Sequence, residues 1–199
     1  MKVAGIVLAA GSASRMGHNK LLLEVGGESL VRRAARVAGE AGLEPVVVVL
    51  GHEAERVRAA LLGLRCEIVL NPRHALGMST SLDVGVASLP PGTAAAVVLL
   101  ADMPFVDAAM IRAVVLRHHQ GGAPVVSSRY GPVQAPPTLY ARALFAELQG
   151  GEGEGRGREV VRRHAGEVAF VDWPAAALAD VDLDEDLERA RARFGEEAR

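Results

Sequence analysis

The sequence predicts an α/β fold, a mostly parallel β-sheet with helices on both faces. Two observations carry this. Short, continuous apolar runs recur along the chain, and they alternate with segments whose apolar residues fall three and four apart. The runs have no polar side, so they read as strands covered on both faces, and strands joined through helices must run parallel. A third observation bounds the architecture: the 199 residues contain no repeat and no long linker. At ~150 residues per domain this predicts one domain over 1–199.

The first strand is expected at Val3–Ala9, running into a glycine-containing loop. Met1, Lys2 and that apolar run also imitate a short signal peptide, but Arg15 and Lys20 follow at once, which favours the strand. Residues 28–41 carry Leu30, Ala34, Val37, Ala38 and Ala41 at helical spacing, and Gly42 ends that helix. Pro45 introduces the β-branched run Val46–Leu50, a strand buried on both faces. Val57, Ala60, Leu61 and Leu64 mark the next helix, 66–70 a third strand, and Leu82, Val86 and Leu89 a further helix. Ala95–Leu100 is a fourth strand. A helix with Met110, Ile111, Val114 and Val115 follows, then a short strand near Val125 and Val126, then a helix with Ala141, Leu144, Phe145 and Leu148. Residues 129–138 contain Gly131, Pro132, Pro136 and Pro137 and read as a loop or edge excursion. Residues 150–157 alternate glycine with charge and read as a mobile surface loop. Residues 184–194 form a charged helix with Leu187, Ala190 and Phe194 on one face.

Composition narrows the function. The 22 basic and 24 acidic residues leave a net charge of −2, so no global field draws the protein to nucleic acid or an anionic membrane. No apolar run approaches the ~18 residues of a membrane span. The single cysteine, Cys66, excludes an internal disulfide and suits a reducing, cytoplasmic compartment. Its apolar neighbours suggest a buried strand thiol, not a nucleophile. Of the cations only Lys2 and Lys20 are lysine. The histidines are scattered and offer no metal set, and no Ser/His/Asp or Cys/His pattern implies a protein nucleophile.

Ligands of open parallel sheets bind beyond the carboxyl ends of the strands, and four such places carry candidate chemistry. The first follows the first strand: Ala9, Ala10, Gly11, Ser12, Ser14, Arg15, Gly17 and Lys20. Small residues let backbone N–H groups approach phosphate oxygens, and Arg15 and Lys20 supply countercharge. The stretch is neither a Walker loop nor a GxGxxG dinucleotide site, and its glycines alone would fit a plain strand-to-helix turn. The second is Asp102 in Leu100-Ala101-Asp102-Met103-Pro104, placed to hold magnesium on a polyphosphate or to cap a turn. The third is Gly77, Ser79 and Ser81, where hydroxyls open a helix; Ser79 serves either as its N-cap or in a ligand site. The fourth is Asp180-Val181-Asp182, whose carboxylates are helix caps or, if the fold returns them beside Asp102, supply a second magnesium ligand from Asp180 or Asp182.

Taken together, these motifs resemble the MobA-like nucleotidyltransferases, most closely their molybdenum cofactor cytidylyltransferase branch, from Val3 to about Leu187. Leu8-Ala9-Ala10-Gly11-x-x-Ser14-Arg15-Met16-Gly17-x-x-Lys20-Leu21 looks like the family's nucleotide signature. Gly77 to Leu82 and Asp180 to Leu187 look like two further blocks, and Asp102 matches the magnesium-binding aspartate. The resemblance implies a three-layer Rossmann-like fold and transfer of CMP from CTP to molybdopterin cofactor with release of pyrophosphate. It further implies Arg15, Lys20 and Asp102 as catalytic residues, and Mg²⁺ on Asp102 and Asp182. The nucleotide or cofactor would lie against Ala9, Ala10, Gly11, Ser12, Ser14, Gly17, Gly77, Ser79 and Ser81, with a molybdoenzyme as a possible recipient. Ala9-Ala10-Gly11 follows the cytidylyl branch, whereas Asp102-Met103-Pro104 is similar to the guanylyl pattern, which keeps GTP as an alternative nucleotide. Where relatives show Gly-Asp-x-Gly-Ala-Arg, this chain has Gly153-Glu154-Gly155-Arg156-Gly157-Arg158. A sugar-1-phosphate nucleotidyltransferase would usually carry proline at Asn19. A non-catalytic molybdopterin chaperone would have no need of Arg15, Lys20 and Asp102 together.

Overall fold

The computed structural model describes residues 2–11 and 19–197. Chain order begins with β1 (Val3–Ala9), a small hairpin of β2 (Glu24–Val25) and β3 (Glu28–Ser29), α1 (Leu30–Glu40), β4 (Val46–Leu50), α2 (Ala54–Ala60), β5 (Glu67–Leu70) and α3 (Met78–Ala87). It continues with β6 (Ala95–Leu100), α4 (Ala108–Gly121), β7 (Val125–Tyr130), β8 (Val133–Ala141), α5 (Phe145–Leu148), α6 (Arg156–Arg163), β9 (Val168–Trp173) and α7 (Asp184–Glu197). Seven strands form one sheet in the order β5-β4-β1-β6-β8-β7-β9. All pairings are parallel except those of β8, which runs antiparallel to both β6 and β7.

Side-chain alternation divides the core between the two faces. Val7, Ala9, Val97 and Leu99 point to the side covered by α1, α2 and α4, where they meet Val31, Val57 and Ile111. Ile6, Leu8, Ala96 and Val98 point to the side covered by α3, α5 and α6, where they meet Leu82, Leu148 and Val160. These are the layers of a Rossmann-like α/β sandwich. On the second face α3 lies so close to the sheet that a Cβ on Gly85 would stand 2.6 Å from Ile6 Cγ2 and 3.1 Å from Val49 Cγ2. Gly85→Val is therefore expected to cost ~1–3 kcal/mol by overpacking, read as a drop in thermal or denaturant midpoint.

Several elements differ from the sequence expectation. Glu28 and Ser29 pair with β2 and do not start α1. Ala141 ends β8, and the helix expected there contracts to a 3₁₀ turn and α5. Cys66 precedes β5 and is only half-buried, although that burial still pushes its thiol pKa up, against a nucleophilic role. Residues 129–138 are mostly strand, β7 and β8 joined by a tight turn at Gly131 and Pro132, not a loop. Ser127 pairs with Thr138 but Ser128 with Ala135, so Pro136 and Pro137 fall in a bulge where no ladder N–H is required. Their carbonyls are still satisfied: Tyr130 OH donates to Pro136 O at 2.8 Å and Ser128 Oγ to Pro137 O at 2.9 Å. β9 and α6 were not expected at all. β9 is an edge strand, and α6 offers only Val160 and Val161 to the core.

Candidate active site

Three chain segments meet beyond the carboxyl ends of β1 and β6. Lys20 opens a 3₁₀ turn that Asn19 caps, its Oδ1 accepting from Leu21 N at 3.1 Å. From there Lys20 Nζ reaches Asp102 Oδ2 and Asp182 Oδ1, both at 2.7 Å. Asp102 follows β6 after Ala101, and its main-chain carbonyl accepts from Val181 N at 3.0 Å. The 180–182 segment thus returns beside Asp102, the condition on which a second metal ligand depended. Among the described residues neither the Asp102 nor the Asp182 carboxylate accepts from the backbone N–H of a turn or helix, the cap role that spacing alone allowed.

The charges are mutually dependent. Burial works against a charged Lys20, but the Asp102 carboxylate, aided by Asp182, outweighs it and holds the ammonium above its usual range. For Asp180 the shift works against the charged form. Although much of the residue is exposed, its carboxyl loses water against the pocket wall and faces Asp102 and Asp182, so its pKa is pushed up to about 6, with Lys20 only partly offsetting this. Among the described residues no three His, Cys, Asp or Glu side chains form a closed metal cage. Asp102 and Asp182 nevertheless present oxygens to one cation, Lys20 Nζ. Magnesium commonly takes one or two carboxylates and completes its shell with water and phosphate oxygens, so an open pair of this kind fits it.

A pocket of about 570 Å³ adjoins this cluster at Asp180, Leu100 and Leu8. Its floor is apolar, with Leu82 and Val98, and one rim carries Arg156, Arg158 and Arg162. Of the residues expected to hold cofactor on α3, Ser79 lines it while Gly77 and Ser81 do not. Ser81 is buried and accepts from Asn71 Nδ2 at 2.9 Å. Ser79 is not the N-cap: Gly77 occupies that position, and Ser79 Oγ instead accepts from Arg156 N at 3.3 Å.

Residues 150–157 are a strap laced to α3, not a detached surface loop. Gly153 N donates to Leu76 O at 2.6 Å, Ser79 N to Gly153 O at 3.0 Å, and Met78 N to Glu154 Oε1 at 3.2 Å. Gly77 has φ +104°, and a Cβ there would stand 2.3 Å from the Gly153 carbonyl oxygen. Only glycine allows both that backbone conformation and that approach. Ala9 and Ala10 are buried at the end of β1, Gly11 is exposed, and His52 N donates to Ala10 O at 3.3 Å. Ser12, Ser14, Arg15 and Gly17 lie outside the described residues.

Residues 5–168 match the family model described as "MobA-like NTP transferase domain". The chain belongs to the MobA-like NTP transferase family. Among curated relatives, it is 33% identical over 155 residues to the "Probable molybdenum cofactor guanylyltransferase" of Opitutus terrae, covering 73% of this chain and 74% of that one. It is 31% identical over 150 residues to "Bifunctional protein GlmU" of Mycobacterium sp. (strain KMS), covering 71% of this chain but 29% of that protein. Among solved structures, Rv0371c from Mycobacterium tuberculosis H37Rv superposes with a TM-score of 0.85 at 26% identity, over 96% of this chain and 98% of that one. Its complex with manganese superposes with a TM-score of 0.79 at 26% identity, over the same shares of the two chains. This MobA-like protein is thus a nucleotidyltransferase, and no helix among its described residues is long and apolar enough to cross a membrane.

Sequence comparison put Arg156 and Arg158 in a family-like block, but neither their place in the pocket wall beside Arg162 nor the strap was read from the sequence. Arg156, Arg158 and Arg162 sit on a short, highly charged helix whose only apolar residues are Val160 and Val161, too few to mark a helical period, and the strap's partners are mostly backbone atoms, which leave no mark in a side-chain pattern.

Proposed function

We propose that this MobA-like nucleotidyltransferase joins CMP from CTP to the phosphate of molybdopterin cofactor and releases pyrophosphate, in a reducing cytoplasmic setting. The observation that carries the proposal is the single ammonium of Lys20 held between Asp102 and Asp182 at the mouth of an amphipathic pocket. Attack of one anion on another requires little covalent help from protein; it requires alignment and charge neutralisation. The Ala9, Ala10 and Gly11 backbone, continued by Ser12, Ser14, Arg15 and Gly17, receives the triphosphate. Lys20 neutralises charge developing at the α-phosphate. Asp102 and Asp182 hold magnesium, which when bound supplies further neutralisation of the phosphates. The manganese complex of Rv0371c supports a divalent ion in this fold. Ser79 and Pro136, both lining the pocket, receive the cofactor.

GTP is the second reading. The Opitutus terrae relative named as a guanylyltransferase favours it, as does Met103 after Asp102. Pyrophosphate release with magnesium and purified molybdopterin cofactor, compared for CTP, GTP and ATP, separates the readings. Release with CTP alone is expected, and release with GTP alone reassigns the base. Cofactor binding without release from any nucleotide would replace transfer by a carrier role.

A further inference from the structure

Asp186 sits in the first turn of α7 and has no hydrogen bond or ion pair with Lys20 or Asp102. Its Oδ2 accepts from Asp182 N at 3.1 Å and from Leu183 N at 2.8 Å, while Oδ1 is held by Arg189. The preceding residue, Val181, is buried with Val25, Leu30, Leu187 and Ala190, and its N–H is the donor to Asp102 O. Asp182 is therefore tied through backbone on both sides, to the Asp102 strand by Val181 and to α7 by Asp186. Its own side chain is 54% exposed, and its ion-pair partner among the described residues is Lys20. Side-chain packing cannot set where that carboxylate stands; the backbone turn must.

We infer that Asp186 is a positioning residue: by accepting both N–H groups it fixes the Asp182 turn so that the Asp182 carboxylate faces Asp102 across a distance one cation can bridge. The inference rests on the reading of Asp102 and Asp182 as a cation-holding pair. A carboxylate at this place would also serve α7 alone, since it satisfies free N–H groups and complements the helix dipole. That lesser role would change the melting temperature and nothing at the site.

The test is a manganese titration of the purified chain without nucleotide, followed by electron paramagnetic resonance, alongside pyrophosphate-release kinetics. Asp186→Ala is expected to weaken manganese binding about tenfold, the scale of losing a partner that orients a metal ligand. It should lower kcat while the KM for nucleotide stays put. Asp186→Asn keeps an acceptor oxygen and is expected to restore most of both. Arg189→Ala, which releases only Oδ1, is expected to leave both near wild type. A folded Asp186→Ala with wild-type manganese affinity overturns the inference, and so does equal loss in the Ala and Asn variants, which would make charge the cause. If Asp186→Ala does not fold, Asp186→Ser is read in its place, because its short hydroxyl cannot span two N–H groups. Wild-type protein that binds manganese but transfers no nucleotide would remove the proposed function and leave this inference standing on the titration. Wild-type protein that binds no manganese would overturn the cation pair and this inference with it.

Discussion

Lys20→Ala is expected to lower nucleotidyl transfer by a factor on the order of 10² or more, because it removes a fixed positive charge from the place where charge develops. The protonation state supports this magnitude: Asp102 and Asp182 hold the ammonium above its usual range, so the charge is present throughout any working pH. The fold should survive. Lys20 lies in a short turn and not in the sheet core, and its bond to the half-exposed Asp182 is of the kind that contributes little to stability. A second outcome makes the prediction specific. With Nζ gone, Asp102 and Asp182 face each other without a cation, so manganese affinity should rise while turnover falls. Wild-type turnover in a folded Lys20→Ala variant would end the assignment.

Asp102→Asn is expected to reduce transfer by a similar factor on the order of 10² or more, with manganese affinity falling as well. The substitution keeps the side chain's shape and leaves the Asp102 carbonyl available to Val181 N, so the 180–182 segment should stay in place. What it removes is one of the two negative charges that a divalent ion would neutralise. The two variants therefore move ion affinity in opposite directions and turnover in the same direction, a combination that general destabilisation cannot produce. A folded Asp102→Asn with unchanged ion affinity and turnover would remove Asp102 from the site.

The central strands were legible because burial on both faces leaves an uninterrupted apolar run. Val3–Ala9, Val46–Leu50 and Ala95–Leu100 were each expected with the bounds observed. β8 was hidden because Pro136 and Pro137 ordinarily argue against an interior strand, and the bulge that excuses them depends on how β7 lies alongside. The strap over α3 was hidden because most of its bonds are made by main-chain groups, which leave no mark in a side-chain pattern.

For the site itself, sequence determined the chemistry available. A cation at Lys20, a carboxylate at the end of a buried strand and a further acidic segment follow from residue type and from where apolar runs stop. Whether these groups meet was decided by the tertiary structure. Asp102 and Asp182 are brought to one ammonium because Val181 is buried under α7 and bonded to the Asp102 carbonyl, contacts between residues distant in sequence. Spacing along a chain fixes which residues share a strand or a helix face; it does not fix which loops the packed layers bring together.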